Sequence, residues 1–130
     1  MGLLLLFSGG FMLISAAVSA IYDEPEGWDI LGASVVAMFL GAIIMFFTRN
    51  HVKELQKKEG YLIVTLGWLI MAFAGTMPYM FSGVMTNYTD AFFETMSGFT
   101  TTGASIMNDI EVMPRGILFW RSMTHWIGGM

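Results

Sequence analysis

The sequence predicts an all-α integral membrane protein in which one helix enters the bilayer only half-way before the chain turns back. Three observations lead there. Charged residues make up 12% of the 130 residues, about half the ~25% of a soluble domain. Apolar residues, 55% of the chain, come in long uncharged blocks rather than amphipathic stripes, and the mean hydropathy is +0.65. Water would make such blocks costly, and a bilayer removes that cost. Finally, one apolar segment between the third and fourth blocks is too short to span and runs into threonines and glycine.

The first block, residues 2–22, carries no charge and has the ~20 residues a spanning helix needs. Its Leu3 to Phe7 run and the later Ala17-Val18-Ser19-Ala20 also fit a signal peptide cleaved before Ile21. No Lys or Arg precedes the run, so a retained helix is expected. The second span covers residues 28–48, with Asp29 at its edge, and the third covers residues 61–81. A fourth begins near Pro114 and is still running at Met130. The predicted organisation is two N-terminal transmembrane helices in 1–48, a basic loop in 49–60, and a helix–pore–helix unit in 61–130, cut short in its second helix.

Loop charges predict orientation. Arg49, Lys53, Lys57 and Lys58 are four of the six basic residues and sit in 49–60, whereas 22–27 holds Asp23, Glu24 and Glu26 and no base. By the positive-inside rule, loop 49–60 and the N-terminus are cytoplasmic, and residues 82–114 lie outside. Ala33, Ala37 and Gly41 form a small-residue stripe on the second helix, expected to pack inside the protein. Pro78 falls in the last turn of the third helix, where a kink or an end is expected. Asn87-Tyr88-Thr89 fits a glycosylation sequon too common by chance to carry weight.

Several function classes find no support. The net charge of −4 is segregated by loop, and no basic patch with interleaved aromatics suggests nucleic acid. Cysteine is absent, which excludes disulfides and thiolate metal sites. His51 and His125 share no metal-ligand spacing, and there is no phosphate loop, Ser/His/Asp set or carboxylate pair placed for acid–base work. No enzyme activity, no catalytic residue and no cofactor are predicted.

The chemistry lies in residues 90–105. Asp90-Ala91-Phe92-Phe93-Glu94-Thr95-Met96-Ser97-Gly98-Phe99 reads as a half-length helix, with Thr89 or Asp90 as N-cap and Asp90 and Glu94 in its first turn. At ~1.5 Å per residue it reaches about half-way through a ~30 Å core. Thr100-Thr101-Thr102-Gly103-Ala104-Ser105 follows, without the long apolar side chains a lipid-facing segment needs. Irregular backbone at that depth must be buried in protein or line a watery cavity. A half-helix whose carbonyl end points inward, followed by a Thr/Gly run, suits a dehydrating cation held by backbone carbonyls. The competing reading is an external loop with a short surface helix and a Ser/Thr-rich turn.

The stretch from Asp90 through Ser105 resembles the first pore segment of the TrkH/KtrB superfamily of potassium-uptake proteins. Phe119-Trp120-Arg121-Ser122-Met123-Thr124-His125-Trp126-Ile127-Gly128-Gly129-Met130 is similar to the start of the helix that follows. These stretches are specific and cover about a third of the chain; the rest agrees in hydropathy and order. Two spans ahead of the first pore unit resemble the Trk branch rather than the shorter Ktr branch. The resemblance implies four fused helix–pore–helix units around one pore, each giving a filter strand with one key glycine. It puts that glycine at Gly103 and the potassium-coordinating carbonyls at Thr100, Thr101, Thr102 and Gly103, with Thr101 and Thr102 favoured for direct contact. Glycine there goes with potassium selectivity and serine with sodium permeation. Implied partners are the potassium ion, the remaining three pore units, a second copy in a homodimer and a cytoplasmic nucleotide-binding regulatory subunit. Only one pore unit is present, so the chain reads as a fragment.

Among single residues, Arg121 is a costly charge in a spanning helix, expected to pair structurally, with Glu94 the candidate partner. Glu94 supplies either negative potential at the pore mouth or stability to the pore helix. His125 is expected to pack in the bundle. Trp28, Trp68, Trp120 and Trp126 are expected as interfacial anchors, and Phe92, Phe93 and Phe99 as packing for the pore helix. The thirteen methionines read as lipid-facing or core filler. The predicted function is potassium uptake across the cell membrane. The alternatives are a sodium-permeable or sodium-coupled transporter of the same fold, or a small membrane scaffold or assembly subunit.

Overall fold

Uncharged blocks of this length become helices because only a helix satisfies its own backbone polar groups without water. The computed structural model describes residues 2–49 and 57–130. In order, α1 covers Gly2–Ile21, α2 Glu26–Thr48, α3 Lys57–Phe81, α4 Tyr88–Phe99 and α5 Arg115–Gly129. Three of them, α1, α2 and α3, are long and apolar enough to cross a membrane. Among the described residues all regular structure is helical, which agrees with the predicted fold class.

Helices cover the predicted blocks, with shifted ends. α2 starts two residues before the expected Trp28. α3 starts at Lys57, so the last four residues of the expected loop 49–60 form its first turn; long charged side chains are good helix formers and can leave the bilayer at a helix end. Lys53 and the middle of that loop lie outside the described residues.

α1 and α2 form an antiparallel hairpin, joined by a turn in which Asp23 takes a positive φ of 54°. Ala33 and Ala37 are fully buried and Gly41 is buried. A Cβ on Gly41 would come within 3.0 Å of the Gly2 carbonyl and the Leu5 side chain. The small-residue stripe is thus an internal seam, as expected, and close approach replaces the missing hydrophobic drive between helices in lipid. Large apolar side chains such as Phe39, Phe46 and Leu62 point outward, where acyl chains would meet them.

α5 lies across α1, α3 and α4 through a core of Met12, Ile30, Met71, Tyr79, Ala91, Phe99, Ile117 and Trp120. Here one expectation fails. Trp28 is 79% exposed, as an anchor should be, but Trp120 is 0% exposed. Its Nε1 donates to the Gly75 carbonyl at 3.1 Å, so the indole bolts α5 to α3. An indole is rarely buried without a partner for its N–H; only the fold supplies that partner. Trp120→Phe should lower the unfolding free energy by about 1 kcal/mol through the lost hydrogen bond, and Trp120→Ala by about 3–5 kcal/mol through the cavity. Thermal unfolding of the full-length protein in detergent measures both, and equal stability of the two variants would refute the bolt.

Candidate functional site

α4 starts with a cap that the sequence reading placed wrongly. Asn87, in extended conformation, accepts from the Thr89 amide at 3.2 Å through its side chain. Neither Thr89 nor Asp90 is the N-cap. Asp90 does lie in the first turn, but Glu94 does not; it falls mid-helix and is buried. Asparagine is among the best N-caps, but in the sequence Asn87 was visible only as part of a sequon.

Twelve residues long, α4 rises about 18 Å against a ~30 Å hydrocarbon core. Its far end is held by three close approaches. A Cβ on Gly75 of α3 would come within 2.6 Å of Thr95 and 3.0 Å of Phe99. A Cβ on Gly98 would overlap the Thr124 hydroxyl of α5, and one on Gly128 would overlap the Phe99 carbonyl. Glycine at 75, 98 and 128 therefore lets α3, α4 and α5 converge where α4 ends. Phe99 is buried and Phe92 packs on Phe73 at 5.2 Å between ring centroids. Phe93, 46% exposed, does not pack in this chain as expected.

After α4 the backbone folds back upon the helix end. The Thr100 amide donates to Met96 O at 2.9 Å, Thr101 to Gly98 O at 2.9 Å, and Thr102 and Gly103 to Ser97 O at 3.0 and 3.4 Å. These amides satisfy carbonyls that a helix terminus otherwise leaves open. The carbonyls left available to a cation are then the strand's own. Those of Thr101, Thr102 and Gly103 accept no hydrogen bond among the described residues, whereas Thr100 O accepts from Thr101 Oγ1 at 2.7 Å.

Two residues adopt left-handed backbone: Thr101 at φ 55° and Gly103 at φ 76°. Glycine does this freely. A β-branched residue does not, and its strain of about 1–3 kcal/mol persists only where the surroundings enforce it. Here the Thr101 amide bond to Gly98 O does so from inside the turn. A Cβ on Gly103 would meet no atom within 4 Å, so conformation, rather than space, demands glycine there.

Two staples fix the strand on the far side of Gly103. Ser97 Oγ donates to Ala104 O at 2.5 Å. Glu94, fully buried, accepts from Ser105 Oγ at 3.1 Å with both oxygens and from the Ile106 amide at 3.1 Å. Its Oε1 also lies 2.6 Å from Arg121 Nε, whose side chain is 19% exposed. Glu94 thus bridges α4, the strand and α5, and Arg121 lies beside the carboxylate expected for it. A buried charge left unpaired is costly, and the Arg121 guanidinium supplies the partner for the Glu94 carboxylate. His125 packs with Nδ1 2.9 Å from Arg121 O.

The structure thus joins Glu94 and Arg121 to each other and to Ser105 and Ile106, just past residues 100–103. Sequence reasoning missed the Ser97 and Ser105 staples and the left-handed Thr101. Ser105 carries a weak signal, eleven residues after Glu94 across a turn; Thr101 carries none. Residues 100–106 are exposed in this chain, and no three His, Cys, Asp or Glu side chains among the described residues could hold a metal ion. Any cation here would meet backbone and hydroxyl oxygens.

Comparison with known proteins bears on the family and the fold. A family described as TrkH, cation transport protein, matches residues 27–130. The Trk system potassium uptake proteins TrkH of Salmonella typhimurium and of Escherichia coli K12 are each 38% identical over 130 residues, covering 99% of this chain and 27% of theirs. The crystal structure of the potassium transporter TrkH from Vibrio parahaemolyticus superposes with a TM-score of 0.90 at 37% identity, covering 98% of this chain and 28% of that one. The chain spans about a quarter of the length of these relatives.

Proposed function

This chain belongs to the TrkH family of cation transport proteins, and on that premise we propose that it serves potassium uptake across the cell membrane, supplying one of four selectivity-filter segments. The observation that carries the reading is the strand after α4. Left-handed residues at 101 and 103 flank Thr102, whose φ is not positive. Alternation in the sign of φ turns successive carbonyls toward one side, where an ordinary strand would point them alternately. Three carbonyls with no donor among the described residues can then replace part of an ion's water shell. Thr101, Thr102 and Gly103 are the ligands in this reading, with Thr100 behind them; Glu94 and Arg121 hold the strand and do not touch the ion.

Residues 61–130 form the first helix–pore–helix unit, and three further units in the full-length chain complete the ring of oxygens. The basic segment at 49–60 faces the cytoplasm and α4 enters from outside, in keeping with the loop charges. A second copy of the full chain and a cytoplasmic nucleotide-binding regulatory subunit complete the assembly. Transport makes and breaks no covalent bond, so the protein needs neither enzyme activity nor a cofactor. The full-length gene, expressed in a strain deficient in potassium uptake, should restore growth at low potassium. A protein that is abundant in the membrane and fails to do so rules the reading out.

A further inference from the structure

α5 begins with the wrong chemistry for a helix N-terminus. Its N-cap, Pro114, makes no side-chain cap bond, its first turn holds no acid, and Arg115 brings a positive charge to the positive end of the helix dipole. The missing anion arrives from the linker between α1 and α2. Glu24 Oε1 accepts from the Arg115 amide at 2.8 Å and Oε2 from the Gly116 amide at 3.1 Å. Ser19 of α1 donates to Oε2 at 3.2 Å and orients the carboxylate. The Arg115 guanidinium is drawn aside, 4.3 Å over the Tyr22 ring. Ser15 Oγ donates to Gly116 O at 2.5 Å, and a Cβ on Gly116 would come within 2.6 Å of Ser19.

These contacts set where α5 starts, and α5 carries Arg121. Arg121 lies five positions after Gly116, about 7.5 Å along the helix, and pairs with Glu94, which holds Ser105 and the Ile106 amide. The route from Glu24 to the strand is continuous: carboxylate to helix end, helix to ion pair, ion pair to backbone. A helix moves as a unit because its hydrogen-bond ladder is stiff, so a shift at Gly116 reaches Arg121.

We infer that Glu24 is a positioning residue for the filter. Its carboxylate sets the depth of α5 and, through Arg121 and Glu94, the height of the strand after Gly103. This gives the N-terminal hairpin a task in ion selection. The inference rests on the reading of residues 100–103 as a potassium filter.

The test is rubidium and sodium uptake by the full-length protein in potassium-uptake-deficient cells, with membrane abundance measured in parallel. Glu24→Ala should lower the ratio of rubidium to sodium apparent affinity by about threefold or more at wild-type abundance. Glu24→Gln, which loses the charge but keeps one acceptor oxygen, should fall between. In an Arg121→Gln background, Glu24→Ala should add little, because the route is already cut. A wild-type ratio in Glu24→Ala, or a fall in maximal rate for both cations in proportion, overturns the inference and leaves the hairpin a folding aid. If Glu24→Ala does not reach the membrane, the ratio in Glu24→Gln decides. A wild-type protein that transports no potassium or rubidium overturns the filter reading and this inference with it; an active wild type with an insensitive ratio overturns the inference alone.

Discussion

Replacing Gly103 by serine should cost the full-length protein its preference for potassium over sodium, by on the order of tenfold, without lowering its amount in the membrane. The two halves of that expectation have separate causes. A Cβ at Gly103 meets nothing within 4 Å in this chain, so folding of the unit is spared. The backbone, however, sits at φ 76°, which costs a residue with a Cβ about 1–2 kcal/mol. If the strand relaxes to avoid that cost, the carbonyls move, and about 1.4 kcal/mol is a factor of ten in binding. Gly103→Ala is the control, since it adds the same Cβ without a hydroxyl. The two variants should agree within about twofold on this account. Paired potassium and sodium fluxes at matched expression decide it, and wild-type selectivity in Gly103→Ser would sink the assignment of the filter strand.

Glu94→Ala should be more damaging still. It leaves Arg121 without its partner inside the bundle and frees the Ser105 hydroxyl and the Ile106 amide together. Breaking one side of a buried pair costs about 3–5 kcal/mol, enough to lower uptake by about two orders of magnitude or more. Neutralising both partners is the informative comparison. In Glu94→Gln with Arg121→Gln no charge is stranded, and the glutamine still offers an oxygen to the Ile106 amide. The double variant should therefore transport and resist heat better than Glu94→Ala. Rubidium uptake per unit of membrane protein, with melting temperature in detergent, measures both. Wild-type uptake by Glu94→Ala would show that the bridge holds nothing the filter needs.

Legibility in the sequence followed the range of the physics involved. The spans were readable because a bilayer imposes length and hydropathy on each helix separately, whatever its neighbours do. The half-helix was readable for the same reason, since twelve residues cannot cross. Its start was less so: Asn87 caps α4 through a short polar contact for which several neighbouring residues were candidates. Glu94 and Arg121 could be named as partners because a charge in a span demands one. Trp120 was misplaced because an indole suits an interface and a core alike, and only the Gly75 carbonyl of α3 chose between them.

What the sequence determined alone is therefore the membrane class, the order of three long helices and one half-helix, and a glycine where backbone must run left-handed. These follow from terms local to a segment: transfer to lipid, helix length and the absence of a Cβ. The structure, not the residue's own preference, put Thr101 with Gly103 in left-handed backbone, because the amides of residues 100–103 are claimed by the end of α4. It also decided that Glu24 caps a helix beginning 91 residues later. The bonds that hold Thr101 reach back no more than six residues, to the helix end just before it. The Glu24 contact instead joins segments that meet only when the helices pack, and no local propensity carries that information.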